Sequence, residues 1–177
     1  AKSLLQPLAD AGDGDAQTLL GGLFVSGQGV ERDLAKARAL FEAAAKQGQP
    51  FAAYNLGVMY ENGDAGGTDL AQARHWYSQA ADKGVLPALT QAGLFAFEGR
   101  GGSKDSAAAR RWLGQAAQSG DAQAQLLLAI MLANGDGGPV DFPEAYVWLL
   151  LADRSGFKPA EEYIRVLKGR LPDEERT

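Results

Sequence analysis

Ser155-Gly156-Phe157-Lys158 has the Ser-x-x-Lys spacing in which a lysine can activate a serine hydroxyl for acyl transfer, as in penicillin-recognising enzymes. Such a site also needs Ser-Asp-Asn and Lys-Thr-Gly elements, and neither follows anywhere in the chain. Asp10, Asp13 and Asp15 offer the carboxylates that suit calcium. Their spacing does not fit a binding loop, and Asp13 or Asp15 is well explained as a helix cap. Asn62-Gly63-Asp64 and Asn134-Gly135-Asp136-Gly137-Gly138 lack the Gly-Lys-Ser or Gly-Lys-Thr ending of a phosphate loop, and no strand precedes them. The chain has no cysteine, which excludes disulfides, thiolate nucleophiles and cysteine-ligated zinc or iron–sulfur sites. Its single histidine, His75, excludes a multi-histidine metal centre within the chain. No catalytic, metal or cofactor-binding residue is therefore expected.

The rest of the composition narrows the class. Seventeen basic against 22 acidic residues give a net charge of −5 in 177 residues. Phosphate binding needs a basic face, so nucleic acid is not expected as the main partner. A polybasic patch for anionic lipid is disfavoured for the same reason. The longest apolar run, Leu126 to Ala133, is too short to span a bilayer. No secretory signal is visible at Ala1, which is silent on a trimmed product. Alanine is abundant while valine, isoleucine and threonine are scarce, a helical bias. Twenty-three glycines contradict that bias unless they lie between helices.

They lie at a fixed step. Gly12, Gly48, Gly84, Gly120 and Gly156 are 36 residues apart, and Gly27, Gly63, Gly99 and Gly135 keep the same interval. So do Asp33, Asp69, Asp105 and Asp141, and the alanine columns at 16, 37 and 44. A bulky column runs Leu40, Trp76, Trp112, Trp148. A gapless period of this size means a stacked repeat array. Each unit resolves into two helices. Ala52, Leu56, Gly57 and Tyr60 share one helical face, and Gly63 stops that helix. Asp69 has N-cap chemistry for the next. Ala73, Trp76, Tyr77, Ala80 and Ala81 form its apolar stripe, and Gly84 ends it in the left-handed conformation. Small residues at 73 and 80 allow close approach, and Trp76 is expected to fill the space between the helices.

First helices are predicted near 14–26, 50–62, 86–98 and 122–134, second helices near 33–47, 69–83, 105–119 and 141–155. The domain reading is one array: a partial helix at 1–11 shortened by Pro7, repeats at 12–47, 48–83, 84–119 and 120–155, and a cap at 156–177. Within the cap, 158–168 start a further first helix before Leu171-Pro172-Asp173-Glu174-Glu175 turns polar. Phe24, Phe41, Tyr60, Trp76, Tyr77, Trp112 and Trp148 are expected in the core. The column of His75 elsewhere holds Ala39, Arg111 and Val147, so a solvated or stacked imidazole is expected there.

Gly48…Ala52-x-x-x-Leu56-Gly57-x-x-Tyr60-x-x-Gly63, then Asp69-x-x-x-Ala73-x-x-Trp76-Tyr77-x-x-Ala80-Ala81-x-x-Gly84, resembles the Sel1-like repeat, a branch of the tetratricopeptide superfamily. The likeness covers nearly the whole chain. Departures are local: Ala96 and Leu132 replace the usual aromatic, Ala129 the glycine, and Asp153 an alanine. The per-repeat disulfide of some members is absent here.

The resemblance implies an all-α, right-handed α/α solenoid acting as a protein–protein scaffold. Many bacterial members are exported and serve as periplasmic regulators or as parts of envelope and secretion machinery. The function expected is thus a non-enzymatic adaptor of a bacterial envelope or signalling system. A regulatory inhibitor that sequesters a sensor or enzyme is the alternative on the same fold. A cell-wall enzyme using Ser155 is the alternative of another class. The periplasm is the expected location, because exported relatives often begin with a short second-type helix and a cysteine-free chain tolerates oxidation; the cytoplasm is next.

In that superfamily first helices line the concave face. The helical step then assigns a partner-binding strip: Phe51, Tyr54, Val58 and Glu61; Thr90, Leu94 and Phe97; Gln123, Leu126, Ile130 and Ala133. Asp15, Thr18, Gly22 and Val25 form a more polar set in the first unit. Tyr54 would offer a hydroxyl and Glu61 a carboxylate at the edge. The competing reading is that neighbouring helices or the cap bury these residues.

Overall fold

The structure is a computed structural model and describes residues 1–64 and 66–171. Ten α-helices and no strand are found among them. In order they are α1 (Lys2–Asp10), α2 (Gly14–Ser26), α3 (Leu34–Lys46), α4 (Pro50–Asn62), α5 (Leu70–Asp82), α6 (Leu86–Glu98), α7 (Ser106–Gln118), α8 (Ala122–Asn134), α9 (Phe142–Arg154) and α10 (Ala160–Lys168). Chain contacts separate two compact units, Ala1–Ala88 and a second from Leu89 onward.

The first helices occupy the predicted spans, and the second helices are one residue shorter at each end. The reason at the start is the aspartate column. Asp33, Asp69, Asp105 and Asp141 stand just outside their helices with extended backbones. Each carboxylate accepts the amide three residues on, at 2.9 to 3.0 Å. Each aspartate's own amide donates back to the carbonyl nine residues earlier, that of Phe24, Tyr60, Ala96 or Leu132. The two bonds lock the turn that joins the helices of a unit. Asp69→Ala is expected to lower stability by about 1 kcal/mol, while Asp69→Asn stays close to wild type, because asparagine caps as well as aspartate. Urea midpoints for the two variants check this. At the other end, Gly12, Gly48, Gly84, Gly120 and Gly156 have φ between +79° and +91°, a left-handed turn that other residues rarely adopt.

Packing within a unit rests on small residues. Ala37, Ala73, Ala109 and Ala145 are wholly buried, as are Ala44, Ala80, Ala116 and Ala152. In the first unit a β-carbon on Gly57 would lie 2.5 Å from the Tyr77 ring, and one on Gly21 2.6 Å from Phe41. In the second, Gly93 stands the same way to Leu113 at 2.5 Å. The helices touch backbone to side chain there. The residue that fills the space is therefore Tyr77, not Trp76, which is only half-buried and meets His75 edge to face at 5.0 Å. Phe24, Phe41, Tyr77 and Trp112 are core residues as expected. Tyr60 and Trp148 are half-buried, the latter donating its indole N–H to Glu144 Oε1 at 3.2 Å.

The ends follow the repeat in part. Helix α1 runs on through Pro7, since proline's φ suits a helix and costs it one amide bond. Ala9 is its buried residue, while Leu4 and Leu8 are exposed. Helix α10 buries Ala160 and Leu167. The positions of Gly21, Gly57, Gly93 and Ala129 and of Phe24, Tyr60, Ala96 and Leu132 in earlier first helices carry Arg165 and Lys168 here, both exposed. That exchange gives α10 a charged face. Leu171 is buried rather than polar tail, and 172–177 lie outside the described residues.

Candidate functional site

The predicted strip divides between the two units. In the first, Phe51 opens α4 and is 61% exposed, beside Leu19 at 60%. The two line a hollow of about 240 Å³ with Asp15, Thr18 and Gln49. Tyr54 and Val58 are half-buried, and the Tyr54 ring tilts on Tyr77 at 5.8 Å. Glu61 is drawn inward: its Oε2 accepts the Tyr77 hydroxyl proton at 2.7 Å. That bond satisfies a hydroxyl on a buried ring, so Glu61 serves packing rather than an edge.

In the second unit Thr90 is buried, and its hydroxyl donates to Asp121 Oδ2 at 3.1 Å. The other Asp121 oxygen caps α8 through the Ala124 amide at 2.8 Å. Leu126 is buried too. Both are thus buried, Thr90 with its partner in the turn that opens α8. Leu94 and Phe97 are half-buried, with the Lys104 ammonium 5.9 Å above the Phe97 ring. Gln123 is exposed. Ile130 and Ala133 open into a cleft of about 370 Å³, completed by Leu149, Tyr163, Val166 and Leu167, with Asn134 and Arg170 as its polar members. Sequence reasoning missed Tyr163 and Val166, although the signal was present. Val166 continues the column Gly22, Val58, Leu94, Ile130 by one more 36-residue step.

The residues with chemical potential are committed elsewhere. Ser155 Oγ donates to the Ala152 carbonyl at 2.7 Å. Lys158 Nζ pairs with Glu161 Oε1 at 2.7 Å, and that bond holds its pKa above the ordinary lysine value. A general base needs the opposite shift. Asp13 caps α2 through the Ala16 amide at 2.8 Å, and Asp10 accepts from Gln6. His75 is exposed and meets the Gln79 side-chain amide. Among the described residues no group of three or more acidic or imidazole side chains could hold a metal ion, and no helix is long and apolar enough to cross a membrane.

Set against protein families, the chain matches the Sel1 repeat model four times in tandem, at 14–49, 50–85, 86–121 and 122–156. It belongs to the Sel1 repeat family. The Sel1 frames start two residues after the predicted repeats, so that each begins on its first helix. Solved Sel1 structures are similar. One, a Sel1 repeat protein from Oxalobacter formigenes, is 28% identical with a TM-score of 0.81 over 89% of this chain and 65% of its own. Another, a protective antigen present in uropathogenic Escherichia coli strains displaying an SLR fold, is 32% identical with a TM-score of 0.85 over 96% of this chain and 36% of its own. The chain thus spans under two thirds of both relatives. No curated protein matches it. The fold is the all-helical Sel1 solenoid class. Sel1 repeat proteins generally mediate protein–protein interaction, and the fold is typically a non-catalytic scaffold.

Proposed function

We propose that this chain is a non-enzymatic adaptor of a bacterial envelope or signalling system. In this reading it receives an amphipathic segment of a partner protein on the first-helix faces of its units and works in the periplasm. The observation that carries it is the cleft at Ile130, Leu149, Tyr163 and Val166. Its lining is mostly apolar, its volume of about 370 Å³ suits one or two large side chains, and it opens to solvent on the array's interaction-prone helices. Arg170 at its polar side suits a carboxylate next to the apolar anchor. Phe51 and Leu19 give the first unit its own exposed apolar contact. The periplasmic part is supported by the lack of cysteine and by the likeness to a bacterial protective antigen.

The test is cross-linked capture from the native host, with fractions kept separate. Val166→Glu and Phe51→Ser replace exposed side chains, so melting temperatures should hardly move. Loss of one buried anchor costs about 2 kcal/mol, so Val166→Glu is expected to weaken capture about 30-fold. Capture by wild type that persists undiminished in both variants would overturn the surface. Recovery of the chain from the cytoplasmic fraction alone would overturn the location.

A further inference from the structure

The outward face of α9 departs from the pattern of the earlier second helices. At the position of Val147 the chain carries Ala39 in α3, His75 in α5 and Arg111 in α7, and at the position of Leu151 it carries Ala43, Gln79 and Gln115. In α9 the exposed residues are Val147 at 53%, Leu150 at 44% and Leu151 at 38%. They lie opposite the buried side of the helix, which is Ala145, Leu149 and Ala152. Three large apolar side chains thus face solvent where the sister helices carry small or polar residues, so neither the repeat nor the core calls for them.

The ends of this stripe are oppositely charged. Glu144 stands in the first turn of α9 and Arg154 in the last, both exposed. Glu144 Oε1 takes the Trp148 indole proton, which leaves Oε2 for another donor. Arg154 has no ion-pair partner among the described residues. The equivalent positions are Lys36 and Lys46 in α3, Gln72 and Asp82 in α5, and Ala108 and Gln118 in α7, so among these second helices α9 alone pairs an acid at the start with a base at the end.

This order is self-complementary. Glu144 lies five residues before 149 and Arg154 five after; Val147 lies two before and Leu151 two after. An antiparallel copy of the same helix therefore sets Val147 on Leu151 and Glu144 against Arg154 at both ends. That is the arrangement of a two-fold contact, in which one patch meets itself. We infer that the exposed face of α9 binds α9 of a second copy of this chain, antiparallel, closed by two Glu144–Arg154 pairs. One helix face is small beside the roughly 800 Å² per partner of a standard interface, so the dimer is weak, with dissociation in the micromolar range or above.

Sedimentation equilibrium from micromolar to submillimolar chain tests it, with circular dichroism to confirm helicity. Wild type is expected to dimerise and Leu151→Glu to stay monomeric. Glu144→Arg and Arg154→Glu each set like charges face to face and are expected to weaken self-association at least about tenfold. Mixing these two single variants should restore a dimer, now of unlike chains, and the double exchange in one chain should restore the homodimer. A wild type that stays monomeric throughout overturns the inference and leaves the stripe to another protein. So does a dimer that Leu151→Glu leaves intact, or a double exchange weaker than either single one.

Discussion

Tyr77→Ala is expected to cost about 3–5 kcal/mol, the range for removing a buried aromatic ring. The ring is 1% exposed and lies against the bare backbone of Gly57, which has no side chain of its own to fill the void. Tyr54 loses its ring contact and Glu61 the hydroxyl proton it accepts. Against a typical total of 5–15 kcal/mol the loss is severe, and it should fall first on the α4–α5 pair. Tyr77→Phe separates the parts: it keeps the ring and gives up one hydrogen bond, worth about 1 kcal/mol. Urea denaturation of both variants measures the difference. Equal costs would mean that the hydroxyl, not the ring, holds the pair together.

Gly57→Ala and Gly114→Ala should shift stability in opposite directions. Both residues sit inside helices, where alanine is favoured over glycine by about 1 kcal/mol. At Gly114 nothing lies within 4 Å of the added carbon, so that gain is realised in full. At Gly57 the carbon would stand 2.5 Å from the Tyr77 ring, whose own packing leaves it nowhere to go. Overpacking of a tight core costs about 1–3 kcal/mol, which outweighs the propensity. Adding Tyr77→Leu to Gly57→Ala should recover much of the loss, because Ala129 and Leu149, at the same two positions of the fourth unit, are both buried side by side with no aromatic. Thermal melts of the four chains give the comparison. A destabilised Gly114→Ala would show that the space beside α7 is not open.

The period, the helix spans, the aspartate caps and the buried alanine columns were all legible in the residues, since each depends on neighbours within one unit. The choice between Trp76 and Tyr77 was harder. Adjacent residues on a helix point about 100° apart, and both are aromatic. The clue was the pairing of Gly21, Gly57 and Gly93 with Phe41, Tyr77 and Leu113 at a constant offset, which outweighs ring size. The burial of Thr90 was not legible, because its hydroxyl finds Asp121 across 31 residues. Leu126 is buried, whereas Tyr54 in the same column stays half-buried, a difference that the column itself does not carry. The cleft beside Val166 and the stripe on α9 were hidden for another reason. Columns reveal what the units share, and these surfaces lie where one unit departs from the others.

The joints have a genetic meaning. All five left-handed glycines between repeats fall within 12° of one another in φ, and all four aspartate turns close with the same two bonds. A crossover between two copies of the unit, at any matching base, would therefore rejoin the chain through a turn it already knows how to make. Recombination can change the copy number in whole-unit steps without inventing a new junction, and selection then acts on what the surviving side chains display rather than on whether the backbone closes.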